Sequence, residues 1–88
     1  MTRTELRTWI EEQITKFIPH LGKRSEKTDA FLGSKIAALV DALDAMNEAD
    51  SDEAYGDLIK RRFRAHKGGL DAYHDILTKL GVEHEYNE

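Results

Sequence analysis

The sequence predicts an all-α fold, a small antiparallel bundle of four helices with the second helix at its centre. Apolar residues recur at three- and four-residue spacing in four separate segments, which is the period of amphipathic helices. No segment alternates apolar and polar residues as a half-buried strand does. Short connectors separate the four segments, and connectors of a few residues favour antiparallel neighbours.

Length and composition predict a single domain over residues 1–88, because a chain of this size holds one modest core. The hydrophobic fraction is 40% and the charged fraction 34%, a balance typical of folded soluble chains. The absence of cysteine excludes disulfides and thiolate metal sites. The first residues lack the apolar block of a signal peptide, and the longest apolar run, residues 36–40, is far short of a bilayer span. We therefore expect a cytoplasmic protein without a membrane partner.

The first predicted helix covers about residues 3–18. Thr2 and Glu5 have the spacing of a capping box at its start. Pro19 disfavours helical geometry at Ile18 and therefore ends or kinks the helix there. Its apolar face consists of Leu6, Trp9, Ile10, Ile14, Phe17, Ile18 and Leu21.

The second predicted helix covers about residues 29–47, with Ser25 or Thr28 as its N-cap. Its main apolar stripe consists of Leu32, Ile36, Leu39, Val40, Leu43 and Met46. A second stripe, well to the side of the first, consists of Phe31, Ala38, Ala42, Ala45 and Ala49. Two apolar faces predict contacts on two sides, and hence a central helix. Alternatively, the alanines supply only helix propensity, or the extra face serves self-association.

The third and fourth predicted helices cover about residues 52–66 and 70–80. Ser51 is suited to cap the third helix, and the glycine pair of the "HKGG" sequence separates the two helices. Gly81 has the position of a C′ residue after the fourth helix. We expect the remaining tail, residues 83–88, to be frayed.

An acidic block separates Ile36 from Ile59, a stretch without any lysine or arginine. Its members are Asp41, Asp44, Glu48, Asp50, Asp52, Glu53 and Asp57. A calcium loop that starts at Asp50 would have tyrosine in place of the required glycine, which argues against an EF-hand. Asp50 and Ser51 resemble the serine-bearing turn of acyl carrier proteins, a similarly small, acidic, four-helical family. The resemblance ends at Asp52, where that family has an apolar residue, so the prosthetic-group role of its serine is not carried over.

Two groups of residues have spacings compatible with ligand chemistry. Asp41, Asp44 and Glu48 share one helical surface, which could hold a hard cation or pair with a basic partner, although a solvated face is the favoured interpretation. Asp71 and His74 lie three residues apart, as metal ligands can, and make a small metal-dependent enzyme the remoter alternative. The sequence lacks the Gly-x-Ser-x-Gly elbow of a nucleophilic serine and a phosphate-binding glycine loop. We therefore predict no catalytic residue, metal site or cofactor.

Five bases lie within the eight residues 60–67. On a helical projection, Arg62 and His66 lie on the apolar side of the third helix, which predicts an inward polar pair. A buried Arg62 requires a carboxylate or carbonyl partner, unless its head group reaches water; the alternative is a polar pair at the floor of a groove. The outer bases, which project to solvent, are Lys60, Arg61, Arg64 and Lys67.

The favoured function is a non-enzymatic protein–protein interaction module, acting as an adaptor, a regulator or an inhibitor of the immunity type. Bacteriocin immunity proteins and phage-encoded inhibitors are similar in size and charge. The predicted contact residues are Lys60, Arg61, Arg64, Lys67, Asp41, Asp44 and Glu48. The alternative is a nucleic-acid-binding protein that uses the outer bases. Against it, the eight bases outside residues 60–67 face seventeen acids, a charge balance that repels nucleic acid.

Overall fold

The computed structural model describes residues 1–23, 25–65 and 68–84. Four α-helices occupy most of these residues, and no strand occurs among them, which confirms the all-α prediction. No helix in the described ranges combines the length and the apolar composition needed to cross a bilayer. The helices are α1 Arg3–Phe17, α2 Glu26–Ala45, α3 Asp52–Ala65 and α4 Leu70–Leu80.

The start of α1 is fixed by the predicted capping box. The Glu5 amide donates to Thr2 Oγ1 at 3.3 Å, and the Thr2 amide donates to Glu5 Oε1 at 3.0 Å. The hydrogen bonds from the backbone and side chain of Thr2 lower the pKa of Glu5 below its ordinary value. At its other end, α1 tightens into a 3-10 turn, Ile18–His20, which contains Pro19.

Helix α2 begins at Glu26, about one turn before the predicted start at residue 29. Ser25 is the N-cap, because its hydroxyl accepts from the Thr28 amide at 3.3 Å. The apolar pattern starts only at Phe31, so periodicity missed a first turn that is entirely polar or small. Capping, rather than amphipathicity, sets this boundary.

The centre of the bundle lies where α2 presents its alanines. Ala42 and Ala45 have no exposed surface, and α2 contacts each of the other three helices. Small side chains permit this close approach, which confirms the prediction of a central α2. Helix α4 also contacts all three other helices, so the two share the centre. The other buried core residues are Leu6, Ile10, Ala38, Leu39, Met46, Tyr55, Ile59, Ala72, Tyr73, Ile76 and Leu77.

The turn between α3 and α4 lies directly against α2 at Gly69. Its φ of 69° is in the left-handed region, which glycine adopts without steric cost. A Cβ atom at this position would lie 2.5 Å from Ala38 Cβ and 2.8 Å from the carbonyl oxygen of Ser34. A glycine is therefore required here for both its conformation and its size.

Candidate functional site

Arg62 lies on the side of α3 that faces α2 and α4. Its guanidinium donates to Asp41 Oδ1 and, at 2.7 Å, to Glu48 Oε2. The second Asp41 oxygen accepts from the Tyr73 hydroxyl at 2.8 Å. These four residues, which we call the inner network, join α2, α3 and α4. The Arg62 side chain is only 24% exposed, so its charge has the carboxylate partners that burial requires.

Burial and charge act in opposite directions within the inner network. Burial tends to lower the pKa of Arg62, but the hydrogen bond and charge of Asp41, with the charge of Glu48, outweigh it and raise the pKa. Burial also raises the pKa of Tyr73, and its hydrogen bond to Asp41 adds to the effect. Arg62 therefore stays charged and Tyr73 stays a neutral donor.

A second tyrosine completes the end of α2. The last four carbonyls of a helix have no partner within the helix. Three of those in α2 accept from the following amides, which form tight turns beyond Ala45. The fourth, the carbonyl of Ala42, accepts from the buried Tyr55 hydroxyl at 2.7 Å. The long-range contact from α3 thus caps α2, and no pattern in the sequence indicates it.

The three acids predicted to share a solvated face, Asp41, Asp44 and Glu48, are not all left to solvent. Asp41 and Glu48 are engaged by Arg62, and the Asp41 side chain is only 27% exposed. Asp52 accepts from Arg3 Nε at 2.8 Å, whereas Asp44 is exposed. A helical projection describes one helix at a time, so it could not show that Arg62 of α3 reaches Asp41 of α2 and Glu48 in the turn after it.

Three of the outer bases differ from Arg62 in having no partner among the residues that the structure describes. Of the four, the structure describes Lys60, Arg61 and Arg64, and no described residue accepts a hydrogen bond or ion pair from their side chains. Lys67, the fourth, lies outside the described residues, as does His66, the expected partner of Arg62 in the inward pair. These three bases thus place positive charges along one side of α3 that no described carboxylate pairs with.

A groove runs beside these bases. We call it the α3 groove; it has a volume of about 930 Å³. One wall carries Lys60, Phe63 and Arg64 of α3, and the other is the chain segment from Gly81 to His84. Gly81, with a φ of 76°, turns the chain back after α4, as its predicted C′ role requires.

Two contacts of Val82 hold the second wall of the α3 groove in place. The Val82 amide donates to the Leu77 carbonyl at 3.0 Å. Its side chain packs on Gly56 of α3, where an added Cβ would lie 3.0 Å from Val82 Cγ2. Gly56 therefore leaves the space that Val82 fills, and the segment after α4 is tied to both α3 and α4.

His84 extends the same wall, although the sequence places it in a frayed tail. Its Nδ1 lies 2.8 Å from the Val82 carbonyl oxygen and its Nε2 lies 2.6 Å from His74 Nδ1. A carbonyl oxygen only accepts, so Nδ1 of a neutral His84 carries the proton and its Nε2 accepts from His74. The ring also meets Phe63 edge-on, with the centroids 5.9 Å apart.

Asp71 and His74, the ligands of the remoter metal-enzyme alternative, both lie on α4. Among the described residues, no three histidine, aspartate or glutamate side chains gather as a metal-binding group.

Comparisons of the chain with protein-family models, with curated proteins and with solved structures found no match. The geometry of α3 and its neighbours is therefore the observation from which a function can be proposed.

Proposed function

We propose that the chain is a non-enzymatic interaction module that binds another protein through the outer bases of α3, as an adaptor, regulator or inhibitor. The observation that carries this proposal is the contrast within one helix. Arg62 is neutralised by two carboxylates, whereas Lys60, Arg61 and Arg64 have no described partner. Within the fold Arg62 is engaged by carboxylates, and the three described outer bases remain available to a second molecule.

Charge complementarity defines the kind of partner surface. The chain carries a formal net charge of -4, so a local basic surface stands out against an acidic background. Such a surface steers an acidic partner into one orientation and speeds its association more than it strengthens a buried contact. An acidic surface on the partner fits Lys60, Arg61 and Arg64, and association should weaken as salt is added.

A pull-down from an extract of the source organism tests the proposal. The bait is the wild-type chain, an Arg61→Glu/Arg64→Glu variant, or Arg7→Glu as a charge-reversal control on the exposed surface of α1. We expect a protein that the wild type and the Arg7→Glu variant retain and the double variant loses. Capture of the same proteins by all three baits would contradict the proposal.

Nucleic acid is the competing ligand for the same bases, and titration with duplex DNA and RNA distinguishes it. Three phosphate contacts predict a slope of about -3 for log affinity against log salt. Such a slope, lost in the Arg61→Glu/Arg64→Glu variant, would replace the protein partner with a nucleic acid. Absence of binding at low salt would leave the protein partner as the proposal.

A further inference from the structure

We infer that the α3 groove binds an acidic peptide segment of the partner and seats one apolar side chain of that segment against Phe63 and Val82. This inference rests on the proposed function and names the ligand of that surface. The groove is lined by Lys60 and Arg64 on α3 and by Val82 and His84 on the opposite wall.

Charge identifies the peptide as acidic. Lys60 and Arg64 are four residues apart on α3, so they project from the same side of the helix about one turn apart. Neither has a partner among the described residues. Glu83 is the only carboxylate in the described lining, and it is exposed at the rim. Two carboxylates spaced along a peptide would meet the two cations.

The apolar lining predicts what lies between those carboxylates. Phe63 and Val82 are both half-buried, and both pack against the hydrophobic core. A groove of about 930 Å³ lies at the upper end of the range for ligand pockets. That volume suits a few side chains of a peptide rather than a folded surface. An apolar side chain placed there would cover the remaining exposed area of the two residues.

The groove is formed before any ligand arrives. Val82 is held by the Leu77 carbonyl and by its packing on Gly56. His84 is held by the Val82 carbonyl and by His74. A wall anchored on two helices loses little conformational freedom when a peptide binds, and this preorganisation favours affinity.

Fluorescence anisotropy with defined peptides tests the inference. The probe is a short fluorescein-labelled peptide of glutamates with one central leucine, and a matched peptide has serine at the centre. We expect the leucine peptide to bind about tenfold or more tightly than the serine peptide, because one apolar side chain is buried. A third peptide, with lysine in place of glutamate, should not bind. Equal binding of the leucine and serine peptides would overturn the inference.

Two arginines of α3 provide matched variants, since both lack a described partner and only Arg64 lines the groove. We expect Arg64→Glu to weaken the leucine peptide about tenfold or more, and Arg61→Glu less than threefold. Val82→Ser should remove the preference for leucine over serine, and Lys60→Glu gives a second test if Val82→Ser proves unfolded by circular dichroism. Equal losses from Arg61→Glu and Arg64→Glu would overturn the inference.

The pull-down and the peptide titration fail separately. A captured partner that depends on Arg61 and Arg64, together with no peptide binding, would overturn the groove assignment and leave the proposed function standing. A captured set that ignores both arginines would overturn the proposed function and, with it, the biological meaning of the groove.

Discussion

The two sides of α3 use the same residue type for opposite purposes. Within four consecutive positions, Arg62 is held by Asp41 and Glu48, while Arg61 and Arg64 have no described partner. The three side chains are chemically identical, so their different roles follow from the helices that surround them. The side that faces α2 and α4 is part of the scaffold, and the side that faces solvent is the candidate binding surface. Substitutions on the two sides should therefore have different effects on stability and on binding.

Gly69→Ala should have the largest effect, because it disturbs the turn that brings α3 and α4 against α2. The new Cβ would collide with Ala38 and the Ser34 carbonyl, and the φ of 69° would be strained. The left-handed conformation and the overpacking together predict a loss of about 3 kcal/mol in unfolding free energy. Urea denaturation measures it. Gly33→Ala is the matched control, since its Cβ would meet nothing within 4 Å, and equal losses in both would contradict this account.

Arg62→Ala should destabilise the fold by about 2 kcal/mol, because it removes charge-assisted hydrogen bonds and leaves Asp41 half-buried without its cation. Arg61→Ala, on the outer side, should change stability by less than about 0.5 kcal/mol. Combining Arg62→Ala with Asp41→Ala should cost less than the sum of the two single changes. Strictly additive losses of unfolding free energy would show that the two residues do not interact. The inner network would then not support the fold.

Tyr73 gives the inner side a signature at alkaline pH. Burial and the Asp41 hydrogen bond raise its pKa above the ordinary value of 10.0. The folded state favours the neutral hydroxyl of Tyr73. The stability that this hydroxyl confers is therefore complete below the ordinary pKa and is lost as the pH rises through the folded-state pKa.

Tyr73→Phe should therefore cost about 1 to 2 kcal/mol at neutral pH, through loss of the hydrogen bond. The difference from wild type should shrink as the pH rises above 10.0. Urea denaturation across that pH range measures both quantities. A difference that stays constant with pH would contradict the raised pKa.

Glu5→Gln should have the smallest effect and acts on neither side of α3. The pKa of Glu5 is lowered by its hydrogen bonds to Thr2. The stability it confers is therefore present above its unfolded pKa and is lost as pH falls through the folded-state value. The difference in unfolding free energy between wild type and variant should disappear in acid, while the effect of Arg61→Ala stays small throughout. A difference that grows in acid would be the opposite of the expected sign.

Local features of this fold could be predicted from the sequence, because they depend on residues three or four positions apart. The capping box of Thr2 and Glu5 and the turn at Gly81 are of this kind. Of the two N-caps predicted for α2, Ser25 is the one observed, whereas the apolar period, which begins only at Phe31, set the predicted start one turn too late.

The candidate site was less predictable, because its contacts join distant positions. Asp41 and Arg62 are 21 residues apart, and Tyr55 reaches Ala42 across 13. The apolar period identifies which face of a helix is buried. It does not show how a neighbouring helix is rotated about its axis or shifted along it. The outer bases were therefore found from the sequence, whereas the engagement of Asp41 and the position of His84 required the structure.

The central claim is that the outer side of α3 binds without supporting the fold. An anisotropy titration of the acidic leucine peptide with a Lys60→Gln/Arg64→Gln variant tests it most directly. We expect binding to be lost while the unfolding free energy stays within about 0.5 kcal/mol of wild type. Peptide binding at wild-type affinity, or a loss of binding that merely accompanies unfolding of the variant, would contradict the division of α3 into a scaffold side and a binding side.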